Sequence, residues 1–541
     1  MTAVDAPLVY HRLRAPVENQ ATLFVPPLHA STALFQSNRR QRLASNVQVA
    51  GQTLADFSRL AQRELLEMAL RYTGEYADIP EPPAARELAL ILTGHQPQLF
   101  HPGVWLKNFV ASNLARQANA WAINLIIDSD TIRSAAVRVP SGTAAEPGTH
   151  SVPFDDMTDE VPFEDRPVRD FGTWATFSCR VRQSMAQMVT HPLIAEFWPL
   201  ATAAARETNH LGKSLARARH QTEASWGLET LEVPLSSVAG GRCFARFAWH
   251  ILQRLPDFQQ IHNESLREYR RVHCLRGPMH PVPDLAAAES RLEAPFWVWN
   301  SASPLRRRLA LEPTKTGWRL LDGMDGNRIM SVRRASDPEA FADQWQGLAR
   351  AGWRIRPRAL ITTLYARSCL GDLFIHGIGG AKYDQVTDRI MARFFDIAPP
   401  GYLTATATVQ LPIAARDTRA DDVRRVEREL RDLRWVPERY LSGTDPVAPE
   451  ARRLIERKWE WIQREATASA ERKQRCLAIR DLSMQLQPFV ANRMHELRRE
   501  HARAVAGAAR TRLLRGREFA FPLFPGEFLR SLLLELSAHR S

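Results

Sequence analysis

Apolar positions along the chain change period several times, and each change marks an element. Leu54, Phe57, Leu60, Leu65 and Leu70 recur among charged residues at helical spacing until Gly74. The prolines at Pro80, Pro82 and Pro83 end that helix. Leu88 to Leu92 is a short apolar run leading into Thr93-Gly94, and a helical pattern follows from Val104 to about Ala120. A second apolar run, Ala122 to Ile127, ends in Asp128-Ser129-Asp130. Strand, glycine turn, helix and a strand ending in acid form the βαβ pattern of a parallel sheet.

From about Ser141 to Arg358 the pattern loosens, with Pro153, Pro162 and Pro167 punctuating it. Helices are expected near Trp174 to Arg219 and Phe244 to Arg254, and strands at Ala294 to Trp299 and Gly317 to Leu321. The core is expected to resume with strands at Ala359 to Thr362 and Leu373 to Ile375. Gly377, Gly379 and Gly380 then precede a helix from about Tyr383 to Phe395. Farther on, Val423, Val426, Leu430 and Leu433, then Ile455, Trp459, Ile462 and Ala466, alternate by three and four between Arg and Glu. These read as long helices of a coiled coil, interrupted by a turn at Ser442 to Pro449, and suited to dimerisation. Leu482, Leu486, Phe489, Met494 and Leu497 continue the stripe in a later helix. The last stretch, with Phe519, Phe521, Phe524, Phe528 and Leu532, is too apolar to hang free and should pack back on the body.

The fold class that follows is α/β: a parallel-sheet core with inserted connective segments and a C-terminal α-helical coiled coil. Its divisions are an N-terminal helical segment (1–84), the first part of the core (85–140), insertions on the core (141–358), the second part of the core (359–415), the coiled coil (416–517) and a docking segment (518–541).

Composition narrows the class. With 541 residues, 45% hydrophobic and 24% charged, the chain can build sizeable cores, and global disorder is excluded. The net charge is +13, and between Arg416 and Arg517 there are 25 basic and 16 acidic residues, so about +9 sits on the helical segment. There Glu and Asp interleave Arg at helical spacing with few aromatics, the signature of a solvated face rather than a nucleic-acid surface. Five scattered cysteines without a CxxC read as reduced thiols of a cytoplasmic protein. Neither a secretory signal nor a membrane-spanning run is expected.

Three clusters carry candidate chemistry. Thr93-Gly94-His95-Gln96-Pro97, with His101-Pro102-Gly103, is a turn after a parallel strand and before a helix, where backbone N–H groups and the helix dipole attract phosphate or carboxylate. His95, Gln96 and His101 would add donors and a proton shuttle, or else cap backbone groups. Asp128 and Asp130 stand where ligands bind in open α/β sheets, and would hold Mg²⁺ or orient an amine, or else cap the turn. His376-Gly377-Ile378-Gly379-Gly380-Ala381-Lys382 is a second glycine turn, followed by one of only six lysines. No Gly-Lys-Ser/Thr of a Walker loop occurs in these turns, and Cys369 reads as a buried thiol.

These motifs resemble a known family, the bacillithiol-biosynthesis cysteine-adding enzymes. Thr93 to Phe100 is similar to that family's Thr-Gly-Gln-Gln-Pro-Gly-Leu-Phe turn, and Ile375 to Gly380 to its Ile-Gly-Gly-Pro-Gly-Glu loop. The Phe-Pro-containing end (Phe521, Pro522, Phe524, Pro525) also fits. The resemblance implies a Rossmann-like core, a dimerising coiled coil, a site for ATP or ADP, and condensation of cysteine with the amino group of a glucosaminyl-malate. By it, His95, Gln96, His101, Asp128 and Asp130 would be catalytic, with Mg²⁺ on the two aspartates. Thr93, Gly94, Gly377, Gly379, Gly380 and Lys382 would bind nucleotide or substrate. The chain departs from the family in carrying His95 for Gln, Asp128-Ser129-Asp130 for a Glu-Asp-His-Asp cluster, Gly380 for Glu, and Phe109 where the family's helix lysine aligns. Two other readings fit the same residues: a nucleotide-dependent transferase with another amine acceptor, and a non-catalytic coiled-coil or RNA-binding scaffold on a degenerate core.

Overall fold

Six short strands organise the larger part of the chain: β1 (Thr22–Val25), β2 (Leu90–His95), β3 (Trp121–Ile126), β4 (Leu231–Pro234), β5 (Leu373–His376) and β6 (Leu403–Ala407). The computed structural model describes residues 8, 10, 12–79, 88–157, 160–277, 279–280, 282–288, 290–333, 337–413, 420–441 and 447–538. The strands lie in the order β1-β6-β5-β2-β3-β4. All neighbours pair in parallel except β1, which closes one edge antiparallel to β6. The chain is therefore α/β with a largely parallel sheet.

Strands in such a sheet are covered on both faces, so their sequences are continuously apolar rather than alternating. All six residues of β3 are buried. On one face Leu90, Leu92, Ile123, Leu125, Leu231 and Val233 share a core with Phe57 and Leu65 of α1 (Leu54–Gly74). The other face is covered by α2 (Pro102–Ala118), on which the terminal helix Gly526–Ser537 packs. Phe521 inserts beside Trp105 of α2 with ring centroids 4.2 Å apart, so the C-terminal segment docks as its composition requires.

Two crossovers set the position of the site. From β2 the chain passes through α2 to β3 on one side, while from β5 it passes through a later helix to β6 on the other. β2 and β5 are neighbours, so the sheet reverses its direction of winding between them. In open parallel sheets this is where a crevice opens at the carboxyl edge.

Several sequence expectations need correction. The 141–358 region is more than insertions, because it supplies β4 and also α3 (Leu211–Ser225), which lies against the core. It further builds an antiparallel sheet of its own, whose longest strands are Arg291–Asn300 and Ser303–Pro313. Ala359 to Thr362 is the start of a helix, Ala359–Tyr365, not a core strand; a short apolar run does not distinguish the two. The helix after the second glycine turn, α4 (Ile378–Phe394), begins five residues before Tyr383, so Gly379 and Gly380 are its first turn rather than a loop before it.

Residues Pro140–Thr149 and Pro412–Gly516 form a separate compact unit. Its helices are α5 (Ala420–Trp435), α6 (Pro449–Gln463), α7 (Ser469–Leu486) and α8 (Ala491–Leu514). Val426, Leu433, Leu454, Leu482, Leu486 and Leu497 make one core among them. The observed arrangement is thus a cluster of four helices with its own core. Residues 442–446 of the expected turn lie outside the described residues. Among the described residues no helix is long and apolar enough to cross a membrane.

One buried carboxylate fixes where β2 and β5 meet. Asp372, fully buried just before β5, accepts the Leu90 N–H at 2.8 Å and Gln62 Nε2 at 3.3 Å, and forms an ion pair with the buried Arg42. Its own N–H donates to Leu90 O at 2.8 Å. Removing one partner of a buried pair leaves the other charge uncompensated. Asp372→Ala is therefore expected to lower the unfolding free energy by about 3–5 kcal/mol, against about 1 kcal/mol for Gln62→Ala, in urea titrations. Equal, small losses would remove Asp372 from this role.

Candidate functional site

The carboxyl edge of the sheet carries the turns after β5, β2, β3 and β4 side by side. Thr93 and Ile375 are register partners, and Thr93 Oγ1 donates to Ile375 O at 3.3 Å across a sequence separation of 282. Both glycine turns thus leave neighbouring strands at one edge. The turns are joined onward: Gln96 Nε2 donates to Asp130 Oδ2 at 2.8 Å, and Ser236, just past β4, donates its N–H to Asp128 Oδ1 at 2.9 Å.

The turn after β5 is the open one. Gly377 is the N-cap of α4 and has no side chain to cap it, so the first N–H groups of the helix receive no cap from that position. Among the described residues, nothing beyond the adjoining backbone stands within 4 Å of where a Cβ would project from Gly377 or Gly379. An anion can approach the helix end there, where N–H groups and dipole both favour it. Gly380 is different: a Cβ would lie 2.6 Å from His376 Nδ1. The imidazole occupies the room a side chain would need. His376 Nε2 is 2.7 Å from Asp384 Oδ2, and Arg367 Nη1 donates to the same oxygen at 2.7 Å. Burial opposes the charge of Asp384, but Arg367 and His376 outweigh it and hold the carboxyl below its ordinary value. Lys382 is exposed one turn along the helix.

The turn after β2 is largely structural. His95 is buried, its Nδ1 donating to Gln96 O at 3.3 Å and its Nε2 accepting from Arg219 Nη1 at 3.2 Å. Burial first, and then Arg219 and Lys107, hold its pKa far below the usual imidazole value, so the ring is neutral. Beneath it lies a buried polar network. Arg219 pairs with Glu232, and Glu223 accepts from Asn108 at 2.7 Å and from Trp105 at 2.5 Å. The expected proton shuttle at His95 is replaced by a ring locked into this network. His101 likewise takes the capping role: its Nδ1 accepts the Gly103 N–H at 3.1 Å, and burial with nearby Arg517 lowers its pKa to about 4. Gly94 offers its carbonyl to Lys107 Nζ at 2.7 Å, and burial followed by Arg219 brings that amine down to about 7.

The two aspartates go separate ways. Asp130 is held by Gln96 and by Arg306 at 3.1 Å. Asp128 lines a cavity of about 230 Å³ together with Glu164, His210, Lys213, Ser236 and Arg354 among others. That cavity includes none of the other residues singled out from sequence. Glu164 is held bidentate by Arg356, at 2.7 Å and 2.9 Å, while Lys213 has no ion-pair partner among the described residues. Burial, with Glu164 nearby, raises Asp128 to about 7, although the Ser236 N–H and hydroxyl, both of which donate to the carboxylate, pull the other way.

These donors do not fit the Mg²⁺ expected on Asp128 and Asp130. Their carboxylates are committed to different partners, and no group of three or more His, Cys, Asp or Glu suited to a metal occurs among the described residues. The cavity residues Glu164, His210, Lys213 and Arg356 come from segments scattered through 141–358, which the sequence pattern did not tie to the core, and Ser236 follows β4, which was also missed. Its signal was the short run Leu231-Glu232-Val233-Pro234 ending in Ser236-Ser237. No protein-family model and no curated protein matches the chain.

The folded chain binds the Asp128 proton more tightly than the unfolded chain does. This carboxyl therefore lowers stability progressively as pH rises from 3.8 to about 7, with no further loss above. Asp128→Asn removes that dependence. Relative to the parent, the variant should gain about 2–4 kcal/mol between pH 4 and pH 8 in denaturant titrations. A difference independent of pH would place the Asp128 titration at its ordinary value.

Proposed function

We propose that this chain is an ATP-dependent carbon–nitrogen ligase working at the carboxyl edge of a Rossmann-like core, joining the carboxyl of cysteine to an amine such as an aminosugar. The observation that carries this reading is the open N-terminus of α4 beside the point where the sheet reverses its winding. Such an end fits the phosphates of ATP, and bound ATP would supply the phosphoryl or adenylyl group that turns a carboxylate into an acyl donor.

The chain's own residues have separable tasks in this proposal. The N–H groups of the first turn of α4 bind phosphate, and Lys382 adds positive charge nearby. Asp128 lies two strands away, roughly 10 Å at about 4.8 Å per strand. An amine must be neutral to attack an acyl group, and a carboxyl titrating at about 7 is matched to take its proton. Lys213 and Arg354 give the same cavity the positive charge to hold a substrate carboxylate. His95 and His101 support the site without entering the chemistry. Dimerisation through the helical unit as a coiled coil belongs to the same proposal.

Incubation with ATP, cysteine and a panel of aminosugars and amino acids, read by mass spectrometry, should yield an amide together with ADP or AMP. Binding of ATP without amide formation from any amine would favour a transferase, and absence of ATP binding would end the nucleotide reading.

Gly377→Asp separates fold from function. Gly377 has φ −82° and ψ 169°, a conformation open to any residue, and Asp is a better N-cap than Gly by a few tenths of a kcal/mol. The variant should be as stable as the parent or slightly more so. Yet its carboxylate occupies the anion position, and ATP affinity by calorimetry should fall at least tenfold. Unchanged affinity would move the nucleotide elsewhere.

A further inference from the structure

The helical unit carries a groove that its own charge pattern leaves uncompensated. The groove has a volume of about 550 Å³ and is lined by Leu430, Arg431, Arg434 and Trp435 of α5, Arg480 and Met484 of α7, Gln487, and Met494 and Arg498 of α8. Elsewhere on these helices several acids are paired with neighbouring basic residues. Glu429 pairs with Arg425 at 2.7 Å, Asp432 with Arg439 at 3.4 Å, Glu500 with Arg425 at 2.9 Å, and Glu427 with His501 at 3.4 Å. Around the groove the pattern fails: none of its four arginines makes an ion pair among the described residues, and the lining contains no acid.

Its floor is apolar and unusually exposed. Trp435 is 42% and Met484 48% exposed, while Leu430 and Met494 are half-buried against the helical core. The Arg434 guanidinium lies 5.1 Å from the Trp435 ring. Tryptophan, methionine and arginine without lysine or acid is the composition of the centre of a protein–protein interface. Methionines also adapt to the shape of an apolar guest.

We propose that this groove docks an acidic amphipathic helix of a partner protein. Apolar side chains at i, i+3, i+4 and i+7 would cover Trp435, Met484 and Met494, while flanking Glu or Asp pair with Arg431, Arg434, Arg480 and Arg498. A second copy of this chain is a poorer occupant, because a two-fold contact would set the same four arginines against each other. A single-stranded nucleic acid would satisfy the arginines, but would leave the methionine floor without an apolar guest. The inference concerns the helical unit alone and stands whether or not the ligase reading holds.

The test uses the full chain and a fluorescein-labelled 18-residue helical peptide with Leu at i, i+3, i+4 and i+7 and Glu elsewhere. Fluorescence anisotropy should show saturable binding, at least tenfold tighter than a scrambled peptide of the same composition. Trp435→Ser and Met484→Ser should each weaken binding fivefold or more; Met484 is nearly half exposed, so its variant guards against a folding defect. The double variant Arg431→Glu, Arg480→Glu should lose the acidic peptide and bind its Lys-for-Glu counterpart instead. Equal binding of the scrambled peptide would reduce the groove to a charged surface and overturn the proposal. So would tighter, variant-sensitive binding of a 12-nucleotide single-stranded RNA. A dimer of the chain that Met484→Ser dissociates, with no peptide bound, would assign the groove to a second copy and overturn it as well.

Discussion

The structure depends on two strands far apart in sequence becoming neighbours in register, and the carboxylate of Asp372 is the group that makes them so. It binds the first N–H of β2 while its own backbone enters β5, and Arg42 and Gln62 close around it. A carboxylate without water has few ways to satisfy its charge, so such a cluster defines one arrangement sharply. Once that end is pinned, the parallel pairing runs to Thr93 and Ile375 and brings both glycine turns to one edge. The winding reversal between them then follows from the order of the strands.

A second buried network explains why this edge divides into an open and a closed half. Arg219, Glu223, Glu232, Asn108 and Asn124 join under β2, β3 and β4, with Asn124 Nδ2 donating to Glu232 at 2.7 Å and Tyr76 OH at 3.2 Å. Burial works against the charge of Arg219, but the two glutamates outweigh it and raise its pKa. His95 is drawn into this network as a neutral acceptor, which ties down the turn after β2. The turn after β5 has no such tie at Gly377 and Gly379, and there the backbone stays accessible.

Much of this was legible from periodicity. The β2-α2-β3 unit, the strand at β5, α1 and the docking of the Phe-Pro end all follow from apolar spacing and from the turn residues between. What escaped was set by tertiary context. β4 is only four residues long and carries Glu232, whose burial makes sense only opposite Arg219. The run from Ala359 is as apolar as a strand, yet it forms a helix after the edge strand Trp353–Pro357. For the candidate site, the sequence located the turns at the carboxyl edge of the sheet but not the division of labour among their side chains. Histidines beside glycines suggest catalysis, and only the packing shows that His95 and His101 serve the backbone while Asp128 faces a cavity with Glu164 and Lys213.

The central claim is that the first turn of α4, at the reversal of the sheet, receives an anionic ligand. Hydrogen exchange followed by mass spectrometry, with and without ATP, measures this at the backbone itself. The account predicts slower exchange in peptides spanning residues 376–383, with smaller protection at 95–98 and none in the helical unit. Protection confined to other segments, with 376–383 unchanged at saturating ATP, would contradict it.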